Sequence, residues 1–371
     1  MTTAPVIVGG ATDGSGALLA SIRHGDTRHR LRIAASIPLF SERADALVPL
    51  GLLAAMSLRA SLVVEGEVSP RLLGRLDRIQ DIVEGFSGGM LARVPVEATP
   101  APATAGVARG PGIGSFHSCG VDSLYTLVRH REELTHLVFM QGFGPYEIDS
   151  PRGVARREHA RTLAREWGKQ MVEFELDLHD VTVQFAPWHL AHGLVLASVG
   201  LTLQDAVRRL YVPAGQSYRD LFPLLTHPLL DPLWSTETLE VVHDGCEATR
   251  FDKIQVLQRD DLALDHLAVC NKPWAVVNCG GCEKCLRTMT NLHLAGALAR
   301  TSTLPDALSR RAVAGVPALG AKGRANWRAP RLLARQQRDW GLYLAIRWAT
   351  RPRPLLPARH TLGRWRGAAS R

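Results

Sequence analysis

The sequence predicts an α/β protein: a doubly wound parallel sheet, with a small N-terminal α+β domain and a basic helical C-terminal tail. Three observations carry this prediction. Strand-like and helix-like segments alternate from Ile113 onward, a stretch rich in Pro, Ala and Gly precedes them at 97–112, and basic residues concentrate after Asp306. Repeated strand–helix units favour parallel strands with helices on both faces of one sheet.

The composition is that of a globular protein, with 46 % hydrophobic and 21 % charged side chains in 371 residues. This excludes collagen-like, coiled-coil and wholly disordered chains. The net charge of +9 is unevenly spread: from Asp306 onward, 15 Arg or Lys against two Asp give +13, so the rest sums to −4. A mildly acidic body with a basic tail differs from a uniformly basic nucleic-acid binder.

Residues 1–96 are predicted to form the N-terminal domain, and the sequence does not indicate its role. The segments 5–10 and 29–37 read as strands, and Ala44–Leu58 and Pro70–Phe86 read as helices, because their apolar residues recur at strand and helix intervals. Residues 97–112 are predicted to be a linker because turn-forming residues dominate them.

Residues 113–300 are predicted to form the second domain. Strands are expected at 112–118, 136–141, 171–176, 208–215 and 239–245, and helices at Val121–His130 and Val154–Trp167. The continuous apolar run at 136–141 suits a strand buried on both faces, as in a parallel sheet. Ligands of such sheets bind beyond the carboxyl ends of the strands.

The junction between the first strand and the first helix of this domain predicts a phosphate-binding loop. Its residues are Ser118, Cys119, Gly120, Val121, Asp122 and Ser123. A turn opening a helix directs backbone N–H groups and the positive helix end at one point, and two serine hydroxyls can donate to phosphate oxygens. Asp122 would repel phosphate, so it is expected to hold Mg²⁺ or to orient the loop. A plain helix cap is the alternative.

Four cysteines predict a metal site. Cys270, Cys279, Cys282 and Cys285 have the spacing C-x8-C-x2-C-x2-C, and four thiolates form a closed tetrahedral Zn²⁺ site. Gly280 and Gly281 supply a tight turn, and Lys284 and Arg287 offset part of the thiolate charge. An iron–sulfur cluster and four buried free cysteines remain as alternatives.

The loop resembles the Ser-Gly-Gly-x-Asp-Ser signature of the PP-loop ATP pyrophosphatase superfamily, which has the HUP-like, adenine nucleotide alpha hydrolase-like fold. Ser118, Gly120, Val121, Asp122 and Ser123 match it, whereas Cys119 replaces the first glycine. Because they contain both this loop and the cysteine spacing, residues 112–296 resemble the zinc-containing 7-cyano-7-deazaguanine synthase family. The resemblance implies ATP cleavage between the α and β phosphates. It also implies adenylation of a carboxylate or amide of a small substrate, attack by ammonia or an amine, and a structural Zn²⁺ bordering the site.

Two further stretches carry candidate site residues. Gly215, Ser217, His227 and Asp231 follow a strand, where substrate or pyrophosphate would sit, and His227 could act as acid or base near neutral pH. A core or capping histidine is an equal alternative.

Thr249 is a good N-cap, and Arg250 and Lys253 on the first turn of its helix could bind a polyphosphate or a substrate carboxylate. The synthase family similarly opens a helix with a basic residue near the nucleotide. A solvated helix face is the alternative. Met140, at the end of the second strand, could line an adenine pocket or belong to the core.

The extension at 301–371 is rich in Arg and Trp, and Arg331–Thr350 is expected to form one helix. Three roles are open to it: binding an anionic membrane surface, binding nucleic acid, or packing across the acidic body. Homo-oligomerisation also stays open. The absence of a leader-like N-terminus and the cysteine pattern favour the cytoplasm.

Three functions follow. The first is the ATP-dependent ligase just described, with ATP, Mg²⁺ and Zn²⁺. The second is a tRNA-modifying PP-loop thiolase, for which only Cys119 and Cys246 are spare thiols. The third is a non-catalytic, nucleotide-binding and membrane-associated protein, which the replacement of glycine by Cys119 would favour.

Overall fold

The computed structural model describes residues 4–40, 42–102, 110–144, 148–316 and 321–351. The chain divides into two compact units, Met1–Leu308 and Ser309–Arg371. The predicted tail at 301–371 therefore begins eight residues before the division. The predicted boundary near residues 97–112 does not divide the chain, because both sides of it belong to the first unit.

Ten strands of the described residues form one sheet in the order β10-β9-β6-β7-β8-β3-β2-β1-β4-β5. The strands are β1 (Val6–Thr12), β2 (Leu18–His24), β3 (Thr27–Ala35), β4 (Leu62–Val68), β5 (Val96–Pro100), β6 (Gly112–Phe116), β7 (His136–Gln141), β8 (Gln170–Asp177), β9 (Val207–Pro213) and β10 (Glu240–Asp244). The sheet is mostly parallel, so the α/β class is confirmed.

Helices of the first unit cover both faces of this sheet. They are α1 (Val48–Leu58), α2 (Pro70–Leu73), α3 (Leu76–Ser87), α4 (Val121–Arg129), α5 (Pro151–Glu166), α6 (His179–Phe185), α7 (Trp188–Leu201), α8 (Arg250–Leu257), α9 (Asp261–Asp265) and α10 (Glu283–Leu294). Successive residues of β7 face opposite cores: Val138 packs in the cluster with α1 and α7, and Leu137 and Phe139 pack in the cluster with α4, α5 and α8. This alternation is the physical basis of a sheet covered on both faces.

The five strands β10-β9-β6-β7-β8 are all parallel. The chain runs from β6 outward to β8, then returns to place β9 on the other side of β6. The carboxyl end of β6 thus lies where the strand order reverses, which is where open α/β sheets bind ligands.

The N-terminal strands extend this sheet. β3 pairs antiparallel with β8 from Arg32↔Asp177 to Ala35↔Phe174, so the strands of the predicted N-terminal domain share the sheet of the parallel strands. β5 occupies Val96–Pro100, so part of the predicted linker is a strand pairing with β4. Residues 103–109 of that linker lie outside the described part of the chain.

The second unit contains α11 (Arg310–Ala314), α12 (Ala321–Asn326), α13 (Arg328–Gln336) and α14 (Trp340–Ala349). The single helix expected at Arg331–Thr350 is therefore wrong. Arg338 adopts a left-handed φ of 60°, and the Asp339 side chain accepts the Leu342 N–H to start α14. Pro70–Phe86 is likewise two helices, separated at residues 74–75.

Candidate functional site

The loop between β6 and α4 turns the chain at the carboxyl edge of the parallel strands. Ser118 donates its backbone N–H to Ser123 Oγ over 3.2 Å, and this hydroxyl donates to the Gly120 carbonyl over 3.2 Å. The Ser123 side chain therefore holds the loop closed. No described side chain caps the start of α4 at Val121, so the N–H groups of its first turn can serve an anion.

Cys119 stands where the resembling signature has glycine. Its backbone is left-handed, with a φ of 58°, and a side chain there costs about 1 kcal/mol relative to glycine. The thiol is 1 % exposed and packs in the core under α4. Burial raises its pKa to about 12, although Arg156 opposes the shift. Cys119 is thus a neutral packing group and a poor nucleophile.

A cavity of about 680 Å³ opens beside this loop, lined in part by Ser118, Gly120 and Val121. Among the described residues, five cationic side chains line it and Asp122 is its one carboxylate. The cations are Arg152, Arg156, Arg250, Lys284 and Arg287. The volume is that of a small-molecule site, and the charge balance favours a polyanionic ligand.

Two of these cations come from the start of α5, and the sequence reasoning missed them. Arg156 donates to the Ser118 carbonyl over 2.9 Å and to the Cys270 carbonyl over 3.2 Å, and Arg152 donates to the same Cys270 carbonyl over 2.7 Å. The available signal was a helix that begins just past the carboxyl end of β7 with basic residues in its first turns. Its N-cap, Ser150, accepts the Gly153 N–H.

Asp122 is held by the two basic residues that the sequence selected on α8. Arg250 Nη2 lies 2.9 Å from Asp122 Oδ2, and Lys253 Nζ lies 3.1 Å from Oδ1. The Lys253 side chain, 2 % exposed, also donates to the Ala214 carbonyl over 2.5 Å. Burial alone would raise the pKa of Asp122, but the two cations outweigh it and lower the pKa.

These contacts separate the two roles expected of Asp122. Both of its oxygens accept hydrogen bonds from cations, so the carboxylate orients the loop against α8. Its expected role as a Mg²⁺ ligand has less support, because Arg250 and Lys253 already neutralise the charge with which the carboxylate would attract a metal. Arg250 lines the cavity, whereas Lys253 is buried behind it.

Two cations on α10 also face the cavity. Burial and the neighbouring Arg250 and Arg287 lower the pKa of Lys284, and burial with Arg250 lowers the pKa of Arg287. Arg287 Nε lies 2.9 Å from the Glu283 carboxylate. Cations that repel one another gain free energy when an anion enters between them, as expected at a functional site.

The four predicted cysteines converge, with all four sulfurs within 4.8 Å of one another. Three sulfur pairs lie 3.8, 3.9 and 3.5 Å apart: Cys270–Cys282, Cys279–Cys285 and Cys282–Cys285. Zn–S bonds of about 2.3 Å in a tetrahedron require sulfurs about 3.8 Å apart. The cluster can therefore hold a metal ion such as Zn²⁺. An iron–sulfur cluster is larger than one ion and would need a wider spacing.

Backbone N–H groups around the cluster donate to two of its sulfurs. Lys272 donates its N–H to Cys270 Sγ over 3.3 Å, and Cys282 donates its N–H to Cys279 Sγ over 3.2 Å. Burial opposes ionisation of Cys279, but backbone N–H groups lower its pKa to about 7. The predicted turn glycine Gly280 has a left-handed φ of 68°.

The cysteine cluster adjoins the cavity. Cys270 lines the cavity itself, and Cys282 is the N-cap of α10, the helix that carries Lys284 and Arg287. An ion bound by the cysteines would tie the start of this helix to the segment that carries Cys270.

Four other predicted residues do not line the cavity. The His227 ring is buried, packs edge-on against Phe86 at 4.8 Å, and accepts the Leu229 N–H through Nδ1. Asp231 is paired with the buried His243 at 2.6 Å. The expected acid–base role of His227 and Asp231 therefore lacks geometric support, because both side chains serve a buried network.

Gly215 is exposed outside the cavity, and Ser217 donates its hydroxyl to Asp220 over 3.0 Å. By contrast, the cavity lining includes Met140. Next to it, Gly142 has a φ of 70°, and a Cβ there would lie 2.0 Å from the Leu176 carbonyl oxygen. Only glycine fits at this position.

Comparison of the chain with protein families, with curated proteins and with solved structures returned no match. The fold and the site define it as an α/β protein with a four-cysteine cluster that can hold a metal ion, beside a cationic cavity. Within the described residues, every helix is too short or too polar to cross a bilayer.

Proposed function

We propose that the cavity binds ATP and that the protein adenylates a carboxylate or amide oxygen of a small substrate, releases pyrophosphate, and transfers the activated group to ammonia or an amine. The observation that carries this proposal is the convergence of the α4 N-terminus with five cationic side chains around one cavity. Backbone N–H groups and clustered cations are what a triphosphate requires.

In the proposed reaction, the substrate oxygen attacks the α-phosphorus, and the bond to the bridging oxygen breaks with its electron pair leaving on pyrophosphate. Ammonia or an amine then attacks the activated carbon, AMP leaves with the carbon–oxygen electron pair, and the nitrogen loses a proton. Arg250, Lys284 and Arg287 would stabilise the charge that develops on the phosphates. Mg²⁺ entering with the nucleotide would neutralise part of the phosphate charge.

The apolar part of the lining supports a heterocyclic ligand. Phe139, Met140, Phe143 and Trp188 all line the same cavity, and the last two rings meet edge-on at 5.1 Å. Flat rings and a thioether suit a nucleotide base or a planar substrate.

Thiolation is the weaker candidate. Cys119 and Cys246 are 1 % and 2 % exposed, and the other four cysteines form the cluster that can hold a metal ion. A sulfur-transfer reaction would need an accessible thiol or an iron–sulfur cluster. A non-catalytic nucleotide-binding protein remains the second candidate, because Cys119 departs from the signature.

The test is calorimetry with ATP and a pyrophosphate-release assay across a panel of small carboxylates and amides with ammonia. Lys284→Met should weaken ATP binding about tenfold, the value of a charge-assisted contact. Lys169→Met is the matched control, because Lys169 lies at the amino end of β8, whereas the cavity lies beyond the carboxyl ends of the strands. Binding without pyrophosphate release would favour the non-catalytic candidate, and absence of ATP binding would reject both.

A further inference from the structure

Helix α14 of the second unit is apolar on two faces. Leu342, Ala345, Ile346 and Ala349 form its buried face. On the other side, Trp340, Leu344 and Trp348 recur every four residues and are 55, 57 and 53 % exposed. Residues at this spacing form one stripe along a helix. A polar stripe is the usual solution for an exposed helix face, so this surface requires a partner.

The surroundings of the stripe are strongly basic. Residues 309–351 contain nine arginines and one lysine but a single acid, Asp339, which pairs with Arg310. Arg335, Arg338, Arg347 and Arg351 are exposed, and the Arg351 guanidinium lies 3.4 Å from the centre of the Trp348 ring. The partner should therefore be both anionic and apolar.

We propose that the stripe of Trp340, Leu344 and Trp348, together with the exposed arginines of the second unit, docks α14 on the surface of an anionic phospholipid membrane. The indole rings and Leu344 would enter the headgroup–acyl boundary, and the arginines would contact lipid phosphates. The helix lies parallel to the surface and does not span it. This docking does not depend on nucleotide binding in the first unit.

Two other occupants fit the stripe less well. The two indoles are eight residues apart, about 12 Å along a helix, which is too far for successive stacked bases, and Leu344 between them gains nothing from a base. A second copy of the chain would bring two strongly positive surfaces together. Lipid supplies negative charge and hydrocarbon at once, which matches both halves of the surface.

The test is co-sedimentation of the full chain with vesicles of phosphatidylcholine, alone or mixed with phosphatidylserine. We expect binding to the mixed vesicles only, and a loss of about tenfold or more in the variant Trp340→Ala/Leu344→Ala/Trp348→Ala. Trp274→Ala is the matched control, because Trp274 is 71 % exposed but lies in the first unit, and it should bind like the wild type.

A second measurement guards against misfolding of the triple variant. Brominated acyl chains should quench tryptophan emission of the wild type, and Trp348→Phe, which keeps an aromatic ring, should reduce the quenched fraction. Wild-type protein that stays in the supernatant with anionic vesicles at low salt would overturn the proposal. So would binding to RNA, or self-association, that the triple variant abolishes while vesicle binding persists.

Discussion

Replacing Lys253 with methionine tests the network that orients the 118–123 loop. The Lys253 ammonium is 2 % exposed and donates to Asp122 Oδ1 and to the Ala214 carbonyl. Methionine keeps the unbranched stem but donates to neither acceptor. Removing one partner of a buried ion pair costs about 3–5 kcal/mol, because the other charge stays buried.

Two features place Lys253→Met near the lower end of that range. The Asp122 side chain is 23 % exposed, and it retains Arg250 at 2.9 Å. The Ala214 carbonyl loses a donor, which adds about 1 kcal/mol. We expect the free energy of unfolding to fall by about 3 kcal/mol, seen in urea titrations as a lower midpoint at unchanged slope.

Two further measurements distinguish the loss of this ion pair from a loss of packing: the pH dependence of stability and a double substitution. The pKa of Asp122 is lowered in the folded protein, so its contribution is present at neutral pH and is lost as pH falls through the folded pKa. The gap between wild type and Lys253→Met should therefore shrink in acid. Asp122→Asn/Lys253→Met should be less destabilised than the sum of the single variants by about 2 kcal/mol. Strictly additive costs would refute the reasoning.

Three further predictions concern the buried network, the metal cluster and the loop. Burial opposes protonation of His243, but Asp231 and Cys246 raise its pKa to about 9. Its contribution to stability should therefore be complete below about pH 6.5 and lost as pH rises to about 9. Thermal melts of His243→Gln should lose that slope, and an unchanged slope contradicts the pairing. Metal analysis should find one Zn²⁺ per chain. The variant Cys285→Ser should lose the ion and melt at a lower temperature. Iron in place of zinc would indicate an iron–sulfur cluster. Cys119→Gly relieves about 1 kcal/mol of left-handed strain, but it removes the buried thiol and raises the entropy of the unfolded chain. Urea titrations should therefore show a free energy of unfolding lower by about 1 kcal/mol. A more stable variant would mean that the thiol packs poorly.

Local patterns predicted several structural features around the cavity correctly. The apolar run at His136–Gln141 is a strand buried between two cores, as its composition indicated. Thr249 caps α8 with a complete capping box, and the cysteines converge as their spacing implied. In each case the pattern that carries the prediction lies within a short stretch of chain, from Cys270 to Cys285 at the longest, so the sequence alone contains it.

Contacts between segments far apart in the sequence could not be predicted from local patterns. The pairing of β3 with β8 joins residues about 140 positions apart and merges the predicted N-terminal domain into one sheet. The polar segment at 227–231 resembled a substrate loop, yet its Asp231 pairs with His243 away from the cavity. Arg152 and Arg156 entered the site only because α5 packs beside the loop.

The sequence by itself determined the strand–helix alternation, the loop at 118–123 and the clustering of the four cysteines, because short-range periodicity and spacing encode them. The tertiary structure alone decided which charges share the cavity, since five cations from three helices meet there only after the sheet has brought those helices together. It also decided that Asp122 faces Arg250 and Lys253, because the partners of a charge are set by packing across more than 120 residues of chain.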